Sequence, residues 1–394
     1  MNKIFANIPT FAADYSGAVS VFYEMGGIHI ICDASGCHGS TMVLDEPRLS
    51  SGVANVFSAS IREKDVVMGI DGKLKKKVRE TWELLGGNYI CLAGTPAPAI
   101  IGADLAGIGK ELEKELDIPV FSISSSGLEF YDRGQEKAYR ALVAYSKKYS
   151  REEGPDVNVI GATPLDMWDL NQIKDCIKLL RQCGAKKPAV WGSSGKLKEI
   201  AGAGHAKLNI AVSASAVNAV KELNRLYGTP YLSGFPIGNA QTERWRNTVT
   251  KLIAGQKETE GSLEDIVPCR SGGTGKRALV IGEQIAANSL RALLCQEFAY
   301  TQVDVVSYFQ MHKELMQEGD RKFVWESEWR DFLEESGRYD LVIGDPVFLT
   351  MLPYKPGHVI PLPHIAVSSR AFWDQSPNLF GEKGSYYISR AMQE

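Results

Sequence analysis

Ile28-His29-Ile30-Ile31-Cys32-Asp33-Ala34-Ser35-Gly36-Cys37 is the stretch on which the fold turns. Its first four residues form an apolar, β-branched run that reads as a buried strand. The short turn that follows delivers a Gly-Cys pair to the strand's carboxyl end, which is where open α/β sheets place their chemistry. The stretch therefore predicts both a parallel sheet wrapped by helices and a thiol at its working edge.

The remainder of the chain repeats this grammar. Strand candidates near residues 28–32, 65–69, 89–92 and 119–123 precede residue 150, and Leu105, Ile108, Leu112 and Leu116 make one helical stripe among them. From residue 155 onward, Val157-Asn158-Val159-Ile160, Ala189-Val190-Trp191 and Leu208-Asn209-Ile210-Ala211-Val212 read as strands. Ile173, Cys176, Ile177 and Leu180 lie between them at the spacing of one buried helix face, with a stop at Gly184. The polar, Gly-rich stretch Gly261 to Gly275 marks a boundary. Beyond it, strands are expected at Ala278–Ile281, Val303–Val306, Asp340–Ile343 and Val359–Leu362. The predicted class is α/β, with three Rossmann-like domains, each a mainly parallel sheet flanked by helices. The divisions are 1–150, 151–270 and 271–394, the last including a C-terminal segment.

Composition narrows the function. The 394 residues are 44% hydrophobic and 23% charged, with a formal net charge of -3, a balance that gives no reason to expect a nucleic acid or membrane partner. Lys73 to Lys77 reads as a solvated helix face. The chain shows neither an apolar run of about 18 residues nor a leader pattern, so a cytoplasmic protein is expected. Seven cysteines, odd in number and widely spaced, do not suggest a disulfide framework, and no CxxC or HExxH spacing signals zinc. Cys91, Cys176 and Cys295 read as core thiols, Cys269 as a linker residue. His205, His312, His358 and His364 read as surface or core residues. Gly192-Ser193-Ser194-Gly195-Lys196 and Gly272-Gly273-Thr274-Gly275-Lys276 resemble phosphate loops without completing the motif, so ATP hydrolysis by this chain is not expected.

Three blocks recur in order: Gly36-Cys37; Arg62-Glu63-Lys64-Asp65 leading into a predicted strand Val66-Val67-Met68-Gly69; and Thr95-Pro96 through Ile101-Gly102-Ala103-Asp104. With Tyr15-Ser16-Gly17-Ala18-Val19 and the run from Leu208 to Tyr231, the chain resembles nitrogenase component 1 and the light-independent protochlorophyllide reductase subunits. The likeness is strongest over residues 13 to 140. It implies pairing of two homologous three-domain subunits as a homodimer or heterodimer, with an iron–sulfur cluster between them. It also implies a separate ATP-dependent iron protein as electron donor. On this resemblance Cys37 is a metal ligand of a [4Fe-4S] cluster, in keeping with the preference of such clusters for thiolates.

The departures are equally specific. The family's other cluster cysteines fall at Ala13 and Thr95, and the anchor of the iron-molybdenum cofactor falls at Ser213. No iron-molybdenum cofactor, and hence no dinitrogen reduction on it, is expected. A cubane takes four ligands, so one Cys37 per subunit leaves a deficit. Cys32 is either a further ligand or a buried strand residue, Asp33 and His38 are candidate non-thiolate ligands, and Thr95 marks a lost ligand. Asp45-Glu46-Pro47-Arg48 reads as a surface turn or a docking element. The loop Gly127 to Gly134, again at a strand's carboxyl end, is a further candidate part of the site. Two functions remain open: a reductase subunit, or a non-catalytic assembly scaffold. A small-molecule sensor built from the same units is a third.

Overall fold

The computed structural model describes residues 11–51, 55–167, 169–256, 261–262 and 275–393. Three all-parallel sheets organise it. The first contains β1 (Ile28–Ile31), β2 (Val56–Ser58), β3 (Ile90–Ala93) and β4 (Val120–Ile123) in the order β2-β1-β3-β4. The second contains β5 (Val157–Ile160), β6 (Pro188–Trp191), β7 (Leu208–Ala211), β8 (Tyr231–Ser233) and β9 (Gly261–Ser262), ordered β6-β5-β7-β8-β9. The third contains β10 (Arg277–Ile281), β11 (Gln302–Ser307), β12 (Arg321–Lys322), β13 (Leu341–Gly344) and β14 (His358–Pro361), ordered β12-β11-β10-β13-β14. In each sheet the order of connection reverses beside its first strand, between β1 and β3, β5 and β7, and β10 and β13. The crevice outside the carboxyl ends at such a reversal is where doubly wound folds bind ligands.

The first domain's helices are α1 (Asp14–Phe22), α2 (Gly36–Ser40), α3 (Glu63–Met68), α4 (Asp71–Leu85), α5 (Pro96–Ile100), α6 (Leu105–Leu116) and α7 (Tyr131–Lys148). The second adds α8 (Asn171–Gln182), α9 (Leu197–Ala201), α10 (Ala214–Tyr227) and α11 (Asn239–Ile253). The third adds α12 (Gln284–Glu297), α13 (Glu326–Glu335), α14 (Pro346–Leu349), α15 (Ile365–Ser368) and α16 (Glu382–Ala391). The expected stripe of Leu105, Ile108 and Leu112 is buried on α6, and Ile173, Cys176 and Leu180 are buried on α8. α8 ends at Gln182 with Cys183 as its C-cap, and Gly184 takes the left-handed φ of 100° that a helix stop requires.

One strand candidate is wrong. Residues 65–69 are not a strand, because Asp65 accepts a hydrogen bond from the backbone N–H of Arg62 (2.7 Å), starting α3 with a side-chain cap. Val66, Val67 and Met68 are 43%, 84% and 84% exposed, so their β-branched character finds no sheet face to cover. The edge strand beside β1 is β2, which comes before the Arg62 block.

The basic run Lys73 to Lys77 lies on α4 and is partly paired. Lys73 bonds Asp65, Lys75 bonds Glu111 (2.5 Å), and Lys77 bonds the Ala59 carbonyl (2.6 Å). Cys91 and Cys176 are buried free thiols, as expected, whereas Cys295, also buried, is disulfide-bonded. Cys269, Gly272, Gly273, Thr274 and most of the predicted 261–275 boundary lie outside the described residues. No helix among the described residues is long and apolar enough to cross a membrane.

α1 and α7 cross closely and tie the first sheet to the rest. A Cβ on Gly17 would stand 1.9 Å from the Tyr131 carbonyl oxygen, and one on Gly134 would stand 1.7 Å from that of Asp14. α7 also packs on α10, so its buried Tyr139, Leu142 and Val143 join the first two domains in one core. Burying such side chains contributes roughly 1.5–3 kcal/mol each.

Candidate functional site

The first sheet's reversal gathers three loops. After β1 the chain turns through Ser35, at a left-handed φ of 94°, into α2, which carries Cys37. After β3 it turns at Thr95 into α5, with Pro96 in the first helical turn. After β4 it runs through Gly127, whose missing Cβ would stand 2.6 Å from Pro96 Cδ and 3.2 Å from the Tyr15 ring.

Cys37 sits half-buried where these loops meet, packed beside Tyr15, Val19, Met42 and Ala93. The hydroxyls of Tyr15 and Thr95 lie beside its thiol. Burial pushes the Cys37 thiol up, with the Tyr15 hydroxyl opposing it and the nearby Asp33 charge acting in the same direction as burial. Tyr15 is also pushed up, by burial and then by the neighbouring thiol. The sulfur therefore rests as a thiol, with the Tyr15 hydroxyl beside it as the donor that would favour a thiolate.

The other candidates are placed differently. Cys32 is fully buried in a separate apolar cluster with Ile30, Ile61 and Leu92, its thiol pushed up to about 12 by burial. Asp33 is spent on the loop itself: Oδ2 accepts from the His38 backbone N–H (2.8 Å) and Oδ1 from the Ser58 hydroxyl (2.6 Å). His38 holds the Val56 carbonyl through Nε2 at 3.2 Å. Thr95 is fully buried, and its hydroxyl donates to the Cys32 carbonyl (2.7 Å), linking the two loops. Ala13 precedes α1, whose Asp14 accepts the backbone N–H groups of Ser126 (2.8 Å) and Gly127 (2.7 Å), so the Gly127 to Gly134 loop is anchored beside Cys37. Among the described residues no three His, Cys, Asp or Glu side chains gather as a metal site.

Asp45-Glu46-Pro47-Arg48 is not a solvated turn. Asp45, Glu46 and Arg48 are all buried, and Arg48 makes a two-pronged pair with Glu46, through Nε and one terminal nitrogen, each at 2.7 Å. The same guanidinium reaches the Ser20 carbonyl (2.8 Å) and the Gly192 carbonyl (2.9 Å), fixing this loop to the second domain. Asp45 accepts from the Ser16 hydroxyl (2.7 Å), and burial pushes its carboxyl up to about 6.

The phosphate-loop look-alike at Gly192 holds a carboxylate, since Ser194 N–H donates to Glu24 (2.7 Å). Ser213 is fully buried; its hydroxyl bonds that of Ser215 (2.8 Å), and a Cβ on Gly161 would press within 2.4 Å of it. Sequence reasoning overlooked Tyr15 as a neighbour of Cys37, and overlooked Tyr131, Asp166, Glu283 and His364 as a buried polar group. Asp166 and Glu283 each follow a strand end at a sheet reversal, a signal that strand order alone reveals.

Three parallel sheets with a thiol at the first reversal set this chain apart from a single Rossmann domain. The chain belongs to the nitrogenase component 1 type oxidoreductase family, whose profile matches residues 13–345. It is similar to the nitrogenase iron-molybdenum cofactor biosynthesis protein NifE of Bradyrhizobium diazoefficiens, 24% identical over 50% of this chain and 36% of that protein. The corresponding NifE of Methanococcus maripaludis is 23% identical over 64% and 54%. The nitrogenase molybdenum-iron protein alpha chain of Methanosarcina barkeri is 27% identical over 47% and 35%. The chain thus spans about half or less of the length of these relatives. Among solved structures, nitrogenase Cp1 at pH 5 superposes with a TM-score of 0.68 at 16% identity, covering 99% of this chain and 89% of that one. That likeness is one of fold.

Proposed function

We propose that this chain is one subunit of a nitrogenase-like reductase, in which Cys37 supplies one corner of a [4Fe-4S] cluster completed by a homologous subunit. The observation that carries this reading is the position of Cys37: half-buried at the first sheet's reversal, between the hydroxyls of Tyr15 and Thr95. One thiol per chain fits an interfacial cluster and not one enclosed by this chain, so pairing with a second copy or a relative completes the ligands. Exposed Val43, Leu44, Ile100 and Leu128, on the segments that follow Cys37, Thr95 and β4, suit such a face. When bound, the cluster supplies one-electron transfer, with a separate ATP-dependent iron protein as donor. The substrate is not dinitrogen on an iron-molybdenum cofactor, because the anchoring position is Ser213, its hydroxyl turned to Ser215.

Cys32, Asp33 and Thr95 support the site rather than ligate. Cys32 lies in the core, Asp33 caps the loop, and Thr95 ties the two loops together. Anaerobic reconstitution, alone and with a homologous component 1-type partner, is expected to give about four iron atoms per cluster. Cys37→Ala is expected to abolish that iron, and iron binding undiminished by the substitution sinks the assignment. The similarity to NifE proteins, together with the vacated positions Ala13 and Thr95, favours a second reading as an assembly scaffold without its own cluster. A Cys37-dependent paramagnetic signal in the reduced protein excludes it.

A further inference from the structure

A second polar centre lies where all three domains meet, distinct from Cys37. α7 contributes Tyr131 and Asp132 at its start, the loop after β5 contributes Asp166, and the third domain contributes Glu283 and His364; all are buried. A cavity of about 20 Å³ separates Asp166, Glu283 and His364, with Ile281, Ala286 and Leu362 among its apolar walls, which is room for about one water molecule.

The two carboxyls differ in the kind of partner they have: Glu283 meets backbone N–H groups, which can only donate, whereas Asp166 meets hydroxyls, which can also turn to accept a carboxyl proton. Glu283 accepts three backbone N–H groups, from Ala214 (2.6 Å), Ile285 (3.1 Å) and Ala286 (3.0 Å), a set that favours its anion. Asp166 accepts from the Tyr131 hydroxyl (2.7 Å), whose oxygen lies 3.2 Å from His364 Nε2, while Thr163 stands at 3.3 Å from its other oxygen. Among the described residues no cation forms an ion pair with it. From α7 it faces Tyr131, Asp132 and Tyr139; from the loop after β10, Glu283; and from the loop after β14, His364. Arg133 and Lys322 act on Asp132, and Arg48 acts on Tyr139.

We propose that Asp166 and Glu283 form a one-proton latch, in which the three-domain junction closes with a proton on Asp166 and loosens when that proton is lost. Two like charges facing each other across a buried seam repel, and the proton taken from solvent on closing removes one of them. The electrostatics agree: burial, then the Glu283 charge, raises the Asp166 carboxyl well above the usual range, and burial raises Asp132 and Glu283 as well. Burial pushes His364 down to about 4, so it brings no positive charge at neutral pH. The latch is independent of the cluster assignment.

Infrared spectroscopy of the whole chain provides the test. A protonated-carboxyl C=O band that shifts in D2O is expected at neutral pH, removed by Asp166→Asn and titrating at lower pH in Glu283→Gln. Urea unfolding from about pH 7.5 upward, above the range in which unfolded-state histidines titrate, gives the second measurement. The folding constant of the unaltered chain is expected to fall by up to about tenfold per pH unit, a slope that Asp166→Asn removes. If no band depends on Asp166 and the slope survives its substitution, the latch is overturned. A band indifferent to Glu283→Gln overturns the pairing.

Discussion

His29 shows how a single side chain couples burial to pH. It sits on β1, fully enclosed, with Nδ1 3.2 Å from the Asn55 carbonyl and Nε2 3.2 Å from the Phe22 carbonyl and 3.0 Å from the Tyr89 hydroxyl. Burial lowers it from 6.5 to about 4, so between those values the unfolded chain binds the proton that the folded chain refuses. Stability from this group is present above about pH 6.5 and is lost as pH falls, by up to about 1.4 kcal/mol per pH unit. Replacing His29 with Gln should remove that increment, measured as the difference in unfolding free energy between the two proteins across the window; a pH-independent difference refutes it. At the same scale, the place of Cys37 just after β1 was legible from the apolar run before it. Its hydroxyl neighbour Tyr15 was not, because the contact joins α1 to α2 through tertiary packing.

Elements were legible where periodicity and burial agree. α6 and α8 show their stripes in sequence, and the buried runs of β1, β3, β5 and β7 follow the rule for parallel sheets covered on both faces. α3 was misread because β-branched residues were weighed without knowing that Asp65 caps a solvent-facing turn. The α1–α7 crossing was also invisible, since nothing local marks Gly17 and Gly134 as contact points. There, Gly134→Ala should cost about 3 kcal/mol through overpacking against the Asp14 backbone, read from urea unfolding. A cost near zero would show that the helices separate freely.

At the scale of the whole molecule, three repeated sheets were readable from strand spacing, but the seam between them was not. Which loops meet depends on strand order, and the reversals at β1/β3, β5/β7 and β10/β13 bring together residues more than a hundred positions apart, such as Asp166 and Glu283. Pairing belongs to this scale too. Sedimentation of the chain, alone or mixed with a homologous subunit, is expected to show a dimer that survives Cys37→Ala, since the exposed apolar residues around the site remain. Only monomer under both conditions contradicts the shared-cluster architecture. Thr95 carries a last consequence. Its hydroxyl ties the β1 and β3 loops by donating to the Cys32 carbonyl, so a cysteine placed there would surrender that tie before it could grip a metal. The position is a hinge pin between two loops, and gaining a thiol there costs the pocket part of its own scaffold.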